Sequence, residues 1–266
     1  MIVTALVVAL LAALPLLATA ITYAVGGQRG DAGTEPLRSI DAARAFLREW
    51  LACLALFAAW PFRLRSRPRP PAGGGVAVFV PERYCSSAGF WYLRRRLSAV
   101  GWSSVAAVEH RGSAGMRSAR VSLDACLAGL PAGTEVVLVG HGLGGVLARA
   151  AVDRHPELRV CHVITLGSPH QGSRALPYRL LGGPTPPVDP PKSEGADVDV
   201  IAICSDFDAW LLPFEAAYCP SGFNIAVSGM GHCAMLLSRR VADLIAENLS
   251  AQAPAVADGP AEPPPA

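Results

Sequence analysis

From residue 76 onward the chain alternates short, unbroken apolar runs with longer segments in which apolar and polar positions alternate at helical spacing. Val76-Ala-Val-Phe-Val80 is a continuous apolar run of strand length, and residues 104–109, 135–139, 159–165, 198–203 and 223–227 read the same way. Between them lie helical patterns. In residues 89–100, Phe90, Leu93 and Leu97 share one face while Arg94, Arg95 and Arg96 turn outward. Residues 116–130 and 143–154 follow, and in residues 234–249 the apolar stripe is Leu237, Val241, Leu244, Ile245 and Leu249. Strands apolar at every position are buried on both faces, and strands that alternate with helices form parallel sheets. The expected fold class is α/β, a mostly parallel sheet with helices on both faces.

The pattern changes before residue 76 and after residue 250. Residues 1–25 carry no charge and suffice to cross a bilayer as one helix, with Pro15 tolerated there. A cleaved signal peptide ending at Ala18-Thr-Ala20 is the alternative; no basic residue precedes the apolar run, and the run exceeds an ordinary signal core. Residues 26–75 read as a juxtamembrane segment. Its apolar stretch, 50–62, is short for a span and is followed by Arg63, Arg65, Arg67 and Arg69, which fits an interfacial helix beside the cytoplasmic face. A soluble helix packed on the domain is the other reading. Residues 67–75 form a Pro/Gly linker, residues 76–250 the α/β domain, and residues 251–266 an Ala/Pro-rich tail expected to be disordered. Residues 173–196 lie where a lid would sit and are too few for a large cap domain.

A net charge of +2, with no basic stripe interleaved with aromatics, gives no footprint for nucleic acid. The seven cysteines are odd in number and contain no C-x-x-C pair. Neither a disulfide framework nor a zinc site follows from their spacing, and they suit a reducing compartment. No metal or other cofactor is expected.

Candidate chemistry begins at Gly140-His-Gly-Leu-Gly-Gly145, between a strand and a helix. This is the setting of a nucleophile elbow, Gly-x-Ser-x-Gly, with Gly142 in the nucleophile's place. An acid and a histidine follow in the order such a mechanism needs: Asp208, past a strand end, and His232, past the last strand. The histidine would take the nucleophile's proton, and the acid would fix its tautomer.

These motifs resemble those of membrane-anchored, bacterial lipase-like α/β-hydrolases, from about residue 44 to 249. Val139-Gly-His-Gly-Leu-Gly-Gly145 matches V-G-H-S-x-G-G except at Gly142, and Thr165-Leu-Gly-Ser-Pro-His-Gln-Gly-Ser173 matches T-L-G-[ST]-P-H-x-G-[ST]. Ser205-Asp-Phe-Asp-Ala-Trp-Leu-Leu-Pro213 matches S-x-x-D-x-x-V-x-P, with Leu211 where Val is usual, and Gly231-His232 matches the base motif. The resemblance implies an α/β-hydrolase fold, carboxylic ester hydrolysis, Asp208 as acid and His232 as base. It also implies oxyanion stabilisation by the backbone at Leu143 and in the loop after the first strand. There the family has V-H-G-x-x-C and this chain has Val80-Pro-Glu-Arg-Tyr-Cys85, so Pro81 and Glu82 replace the residues that shape the oxyanion hole.

Two departures in separate motifs of one mechanism point to a pseudohydrolase that binds an acyl or lipid-like ligand or a protein partner. An active ester hydrolase with activated water or a displaced nucleophile, Ser168 or Cys233, is the alternative. A more distant one is nucleotide binding at the turn, which also reads G-x-G-x-x-G; the carboxylate expected at the end of the next strand is missing. His141 and His170 are expected to serve loop structure, and His110, His155 and His162 show no metal spacing.

Overall fold

The computed structural model describes residues 39–59, 62, 75–82, 85–107, 115–175 and 198–250. The expected membrane helix at 1–25, the arginine cluster at 63–69, His110, most of the lid segment and the tail lie outside the described residues.

Six strands, β1 (Val76–Val80), β2 (Ser103–Ala107), β3 (Glu135–His141), β4 (Arg159–Leu166), β5 (Asp199–Ser205) and β6 (Phe223–Val227), form one sheet. Its order is β2-β1-β3-β4-β5-β6 and every pairing is parallel. Among the described residues five α-helices accompany it: α1 (Ser39–Ala59), α2 (Trp91–Ala99), α3 (Gly115–Ala128), α4 (Leu143–Ala151) and α5 (Arg239–Ser250).

Alternation along each strand feeds two cores. Val76, Val78, Val80, Val136 and Leu138 pack with Leu123 and Leu127 of α3 and Leu147 of α4. Ala77, Phe79, Val137, Val139 and Ile164 point the other way, onto Leu93 and Leu97 of α2 and Val241, Ile245 and Leu249 of α5. Each large side chain buried in this way contributes roughly 1.5–3 kcal/mol from transfer out of water.

The chain runs from β1 to the sheet edge at β2, then returns across β1 to β3. Such a reversal opens a crevice at the carboxyl ends of the two flanking strands. The β1–β3 register pairs Val80 with Gly140. Glu82 and Gly142 each lie two residues further on, so the topology brings them to the same crevice.

Two boundaries differ from the sequence pattern. The helix expected over 234–249 is divided into a 3₁₀ turn, Cys233–Leu237, and α5. Ser238 makes the break: its hydroxyl caps the Val241 N–H at 3.3 Å, giving α5 a separate start. The second difference is α1. The apolar stretch that begins near Trp50 belongs to a 21-residue helix that starts at Ser39 and rests on the sheet domain, so the packed unit reaches back well before residue 76. Its inward residues include Ala45, Glu49 and Ala52. Small residues, Leu56 and one carboxylate make that contact, so little apolar stripe announces it.

Candidate active site

The turn after β3 has the geometry of an elbow. Gly142 adopts φ 53°, ψ −126°, its N–H donates to Leu166 O at 2.9 Å, and its carbonyl accepts from Gly145 N–H at 3.1 Å. A side chain is strained at that φ, by about 1–3 kcal/mol. Gly145 lets α4 cross against Gly140, where a Cβ would overlap the helix backbone.

Glu82 fills the space in front of this turn. A Cβ built on Gly142 would overlap the Glu82 carboxylate. Glu82 Oε2 accepts the Leu143 N–H at 2.8 Å and lies 3.8 Å from His232 Nε2, an ion-pair separation too long for a hydrogen bond. The carboxylate thus takes the first N–H of α4, where the helix dipole favours negative charge. Both side chains are about 1% exposed, so the pair is out of water. The sequence left open whether Glu82 faces the site. It does, and its carboxylate holds the N–H that a phosphate at this helix start would need. Pro81 is buried beside it, and its carbonyl lies against Gly144.

His232 Nδ1–H donates to Asp208 Oδ2 at 2.8 Å, and Asp208 Oδ1 accepts the Trp210 N–H at 2.8 Å. Asp206, two residues earlier, binds Ser228 and Gly229 instead, holding the β5 and β6 loops together. Trp210 stacks on the His232 ring with centroids 5.0 Å apart, and His141 packs near it at 4.2 Å. His141 Nε2–H donates to the His232 carbonyl at 3.1 Å. Burial and the neighbouring His232 charge hold His141 well below the usual imidazole range, so it is neutral. It therefore fixes the backbone of His232 as well as filling the turn.

Burial opposes a charge on His232 most strongly. Asp208 and Glu82 override it and push its pKa up to about 10. At neutral pH the ring is an imidazolium lying between two carboxylates and under an indole face, a favourable place for a cation. An imidazolium has no lone pair with which to accept a proton.

Glu49 of α1 reaches the same loop from behind. Its carboxylate accepts the Cys233 and Ala234 N–H groups at 2.9 and 2.8 Å, fixing the backbone that carries His232. Burial raises its pKa more than those two bonds lower it. Neither Glu49 nor Trp210 was singled out by the sequence pattern; Glu49 sits 183 positions from the residue it positions and belongs to no motif. Ser168 is buried against Gly145, and Cys233 turns toward Glu49 and Cys53, so neither stands in for the nucleophile at the elbow. His170 bonds Thr165 Oγ1 at 2.9 Å, and burial together with the Arg149 charge lowers its pKa to about 4. His155 joins Asp124 and Glu157, and His162 is buried near Asp199.

The comparisons agree with this frame. A family model described as palmitoyl protein thioesterase matches residues 107–206. A pyrethroid hydrolase of known structure is 15% identical over 67% of this chain and 98% of its own, with a TM-score of 0.50. A thioesterase domain from the curacin biosynthetic pathway gives 13% identity, 68% and 92% coverage and a TM-score of 0.48. Polyneuridine aldehyde esterase gives 15%, 66% and 99%, and 0.45. No curated protein sequence matches. The chain has the α/β-hydrolase fold, and its neighbours are hydrolases and esterases.

Proposed function

We propose that this protein is a membrane-held, catalytically silent derivative of a carboxylic ester hydrolase whose former active centre is closed by its own Glu82. The observation that carries the reading is the Glu82 carboxylate on the Leu143 N–H, over Gly142 and 3.8 Å from His232. In an active relative that N–H would stabilise the oxyanion, and the space over the elbow would hold the serine hydroxyl. Here one carboxylate supplies the negative charge that both the donor and the imidazolium were arranged to meet. Nucleophile, free donor and free base are lost together.

Two further features support the remaining parts of the proposal. Leu143, Cys204, Leu211 and Ala217, with Trp210 and Tyr218 against them, form a packed apolar cluster next to the elbow, so an acyl or lipid-like ligand there would meet apolar walls. Of the eight large apolar side chains exposed among the described residues, five (Ile40, Leu47, Leu51, Phe57 and Phe62) lie on or just after α1. That outward face continues into the Arg63, Arg65, Arg67 and Arg69 cluster and is preceded by the apolar residues 1–25, a sequence suited to an anionic bilayer surface. No helix among the described residues is long and apolar enough to cross a membrane. The proposed anchor is residues 1–25, from their uncharged, apolar sequence.

The test is turnover of short and medium p-nitrophenyl esters by the full chain, beside Gly142→Ser and Gly142→Ser with Glu82→Gly. The native chain should match a blank, and only the double variant should label with a fluorophosphonate. Ester turnover by the native chain that His232→Ala abolishes would sink the silent reading and favour water activated by the Asp208–His232 pair. Flotation with anionic vesicles tests the membrane part: Leu47→Ser with Leu51→Ser should reduce binding of a chain lacking residues 1–25.

A further inference from the structure

A second set of chemically capable side chains lies behind His232, on the side away from Gly142. We propose that Glu49, Cys53 and Cys233 form a binding site for a borderline or soft divalent cation of the Zn²⁺ class, which clips α1 to the loop carrying His232. The inference does not depend on the proposed loss of catalysis.

Glu49 and Cys53 are four residues apart on α1, so their side chains leave the same helix face. Cys233 comes to that face from the turn after β6, and the three donor atoms all lie within 4.8 Å of one another. Cys53 Sγ is 3.8 Å from Glu49 Oε1. Around tetrahedral zinc, with bonds of roughly 2.3 Å to sulfur and 2.0–2.2 Å to oxygen, neighbouring donor atoms stand about 3.5–3.8 Å apart. The cluster is therefore near the required spacing, and rotation about the two cysteine χ1 bonds covers the rest.

The donor chemistry agrees. Two thiols and a carboxylate suit Zn²⁺ or Cd²⁺ and do not suit Ca²⁺ or Mg²⁺, which take oxygen ligands. Each Glu49 oxygen accepts one backbone N–H and keeps a lone pair for a metal. Those N–H bonds orient the carboxylate, as outer hydrogen bonds commonly do for metal ligands. Binding forms two metal–sulfur bonds from the sulfur lone pairs, breaks two S–H bonds and releases two protons to solvent, with no change of oxidation state. Cys53 is partly exposed, giving an entry path. The sequence showed no metal spacing because the donors come from two distant parts of the chain.

The experiment uses the full chain in detergent, purified under reducing conditions and titrated with Zn²⁺ and, separately, with Co²⁺. Wild type and Cys161→Ser should each retain about one zinc per chain after gel filtration, while Cys53→Ser and Cys233→Ser retain none. Wild type should give the thiolate charge-transfer and intense visible bands of tetrahedral Co²⁺, a readout independent of whether a variant folds. Absence of those bands from wild type, or equal zinc retention by Cys53→Ser and wild type, overturns the site.

Discussion

On one side of the site, Asp208 and His232 keep the 2.8 Å contact, the stacked Trp210 and the backbone support that an acid–base pair needs. On the other side, the turn after β3 keeps its backbone angles and its packed glycines but has neither side chain nor free donor. The two sides are built differently. The acid–base side is held by a network in which each member satisfies another: Asp208 with His232 and Trp210, His141 with the His232 carbonyl, Glu49 with Cys233 and Ala234. Removing one member strands a buried polar group, so the network is costly to dismantle. A nucleophile side chain at the elbow is strained and contributes nothing to folding. Glycine at this position carries no such strain, and the Glu82 carboxylate from the adjacent strand end faces the buried imidazolium.

The largest effect should come from reopening the weaker side. Gly142→Ser combined with Glu82→Gly should raise ester turnover about 10³-fold or more over either single variant, since one oxyanion donor alone is worth about 10²–10³ in rate. Equal labelling of Gly142→Ser and the double variant by fluorophosphonate would show that Glu82 does not close the site.

Breaking the stronger side should cost folding. Asp208→Asn leaves an imidazolium buried with one carboxylate at 3.8 Å, and urea unfolding should show a loss of about 3–5 kcal/mol. A loss under 1 kcal/mol would mean that the pair is not held charged.

The same charge makes stability depend on pH in a known direction. The folded pKa of His232, about 10, lies above the ordinary value of 6.5, so the native state holds a proton that the unfolded chain has released between those values. The stabilisation is complete below about pH 6.5 and declines as pH rises toward 10, by up to about 1.4 kcal/mol per pH unit from this group. Urea midpoints from pH 6 to 10 should fall in the wild type, and the slope should flatten in His232→Asn. An unchanged slope would place the titration elsewhere.

The smallest expected change probes the support behind the network. Glu49→Ala strands two buried N–H groups and should lower stability by about 1–3 kcal/mol, whereas Arg44→Ala, on the exposed face of the same helix, should change it by less than about 0.5 kcal/mol. Similar effects for the two would remove Glu49 from the network.

Much of this molecule is legible along the chain. Strands buried on both faces must be apolar at every position, so the β1 run carries its own boundaries, and the helices between the strands carry their stripes. The elbow, Asp208 and His232 are legible because each belongs to a local motif at a strand end. The 3₁₀ turn before α5 was not, since Leu237 and Val241 keep helical spacing across a break set by one serine cap.

What the sequence determined by itself is the alternation that makes a parallel α/β sheet and the vacancy at Gly142, because periodicity and residue type are local properties. What only the tertiary structure decided is where two glutamates go. Glu82 faces inward because the crossing from β1 past β2 to β3 sets its strand end against the elbow's, in register through Val80 and Gly140. Glu49 reaches the His232 loop from a helix on which Ile40, Leu47, Leu51 and Phe57 look outward. Both are single charged residues whose partners lie 61 and 184–185 positions away, a separation that no local pattern records.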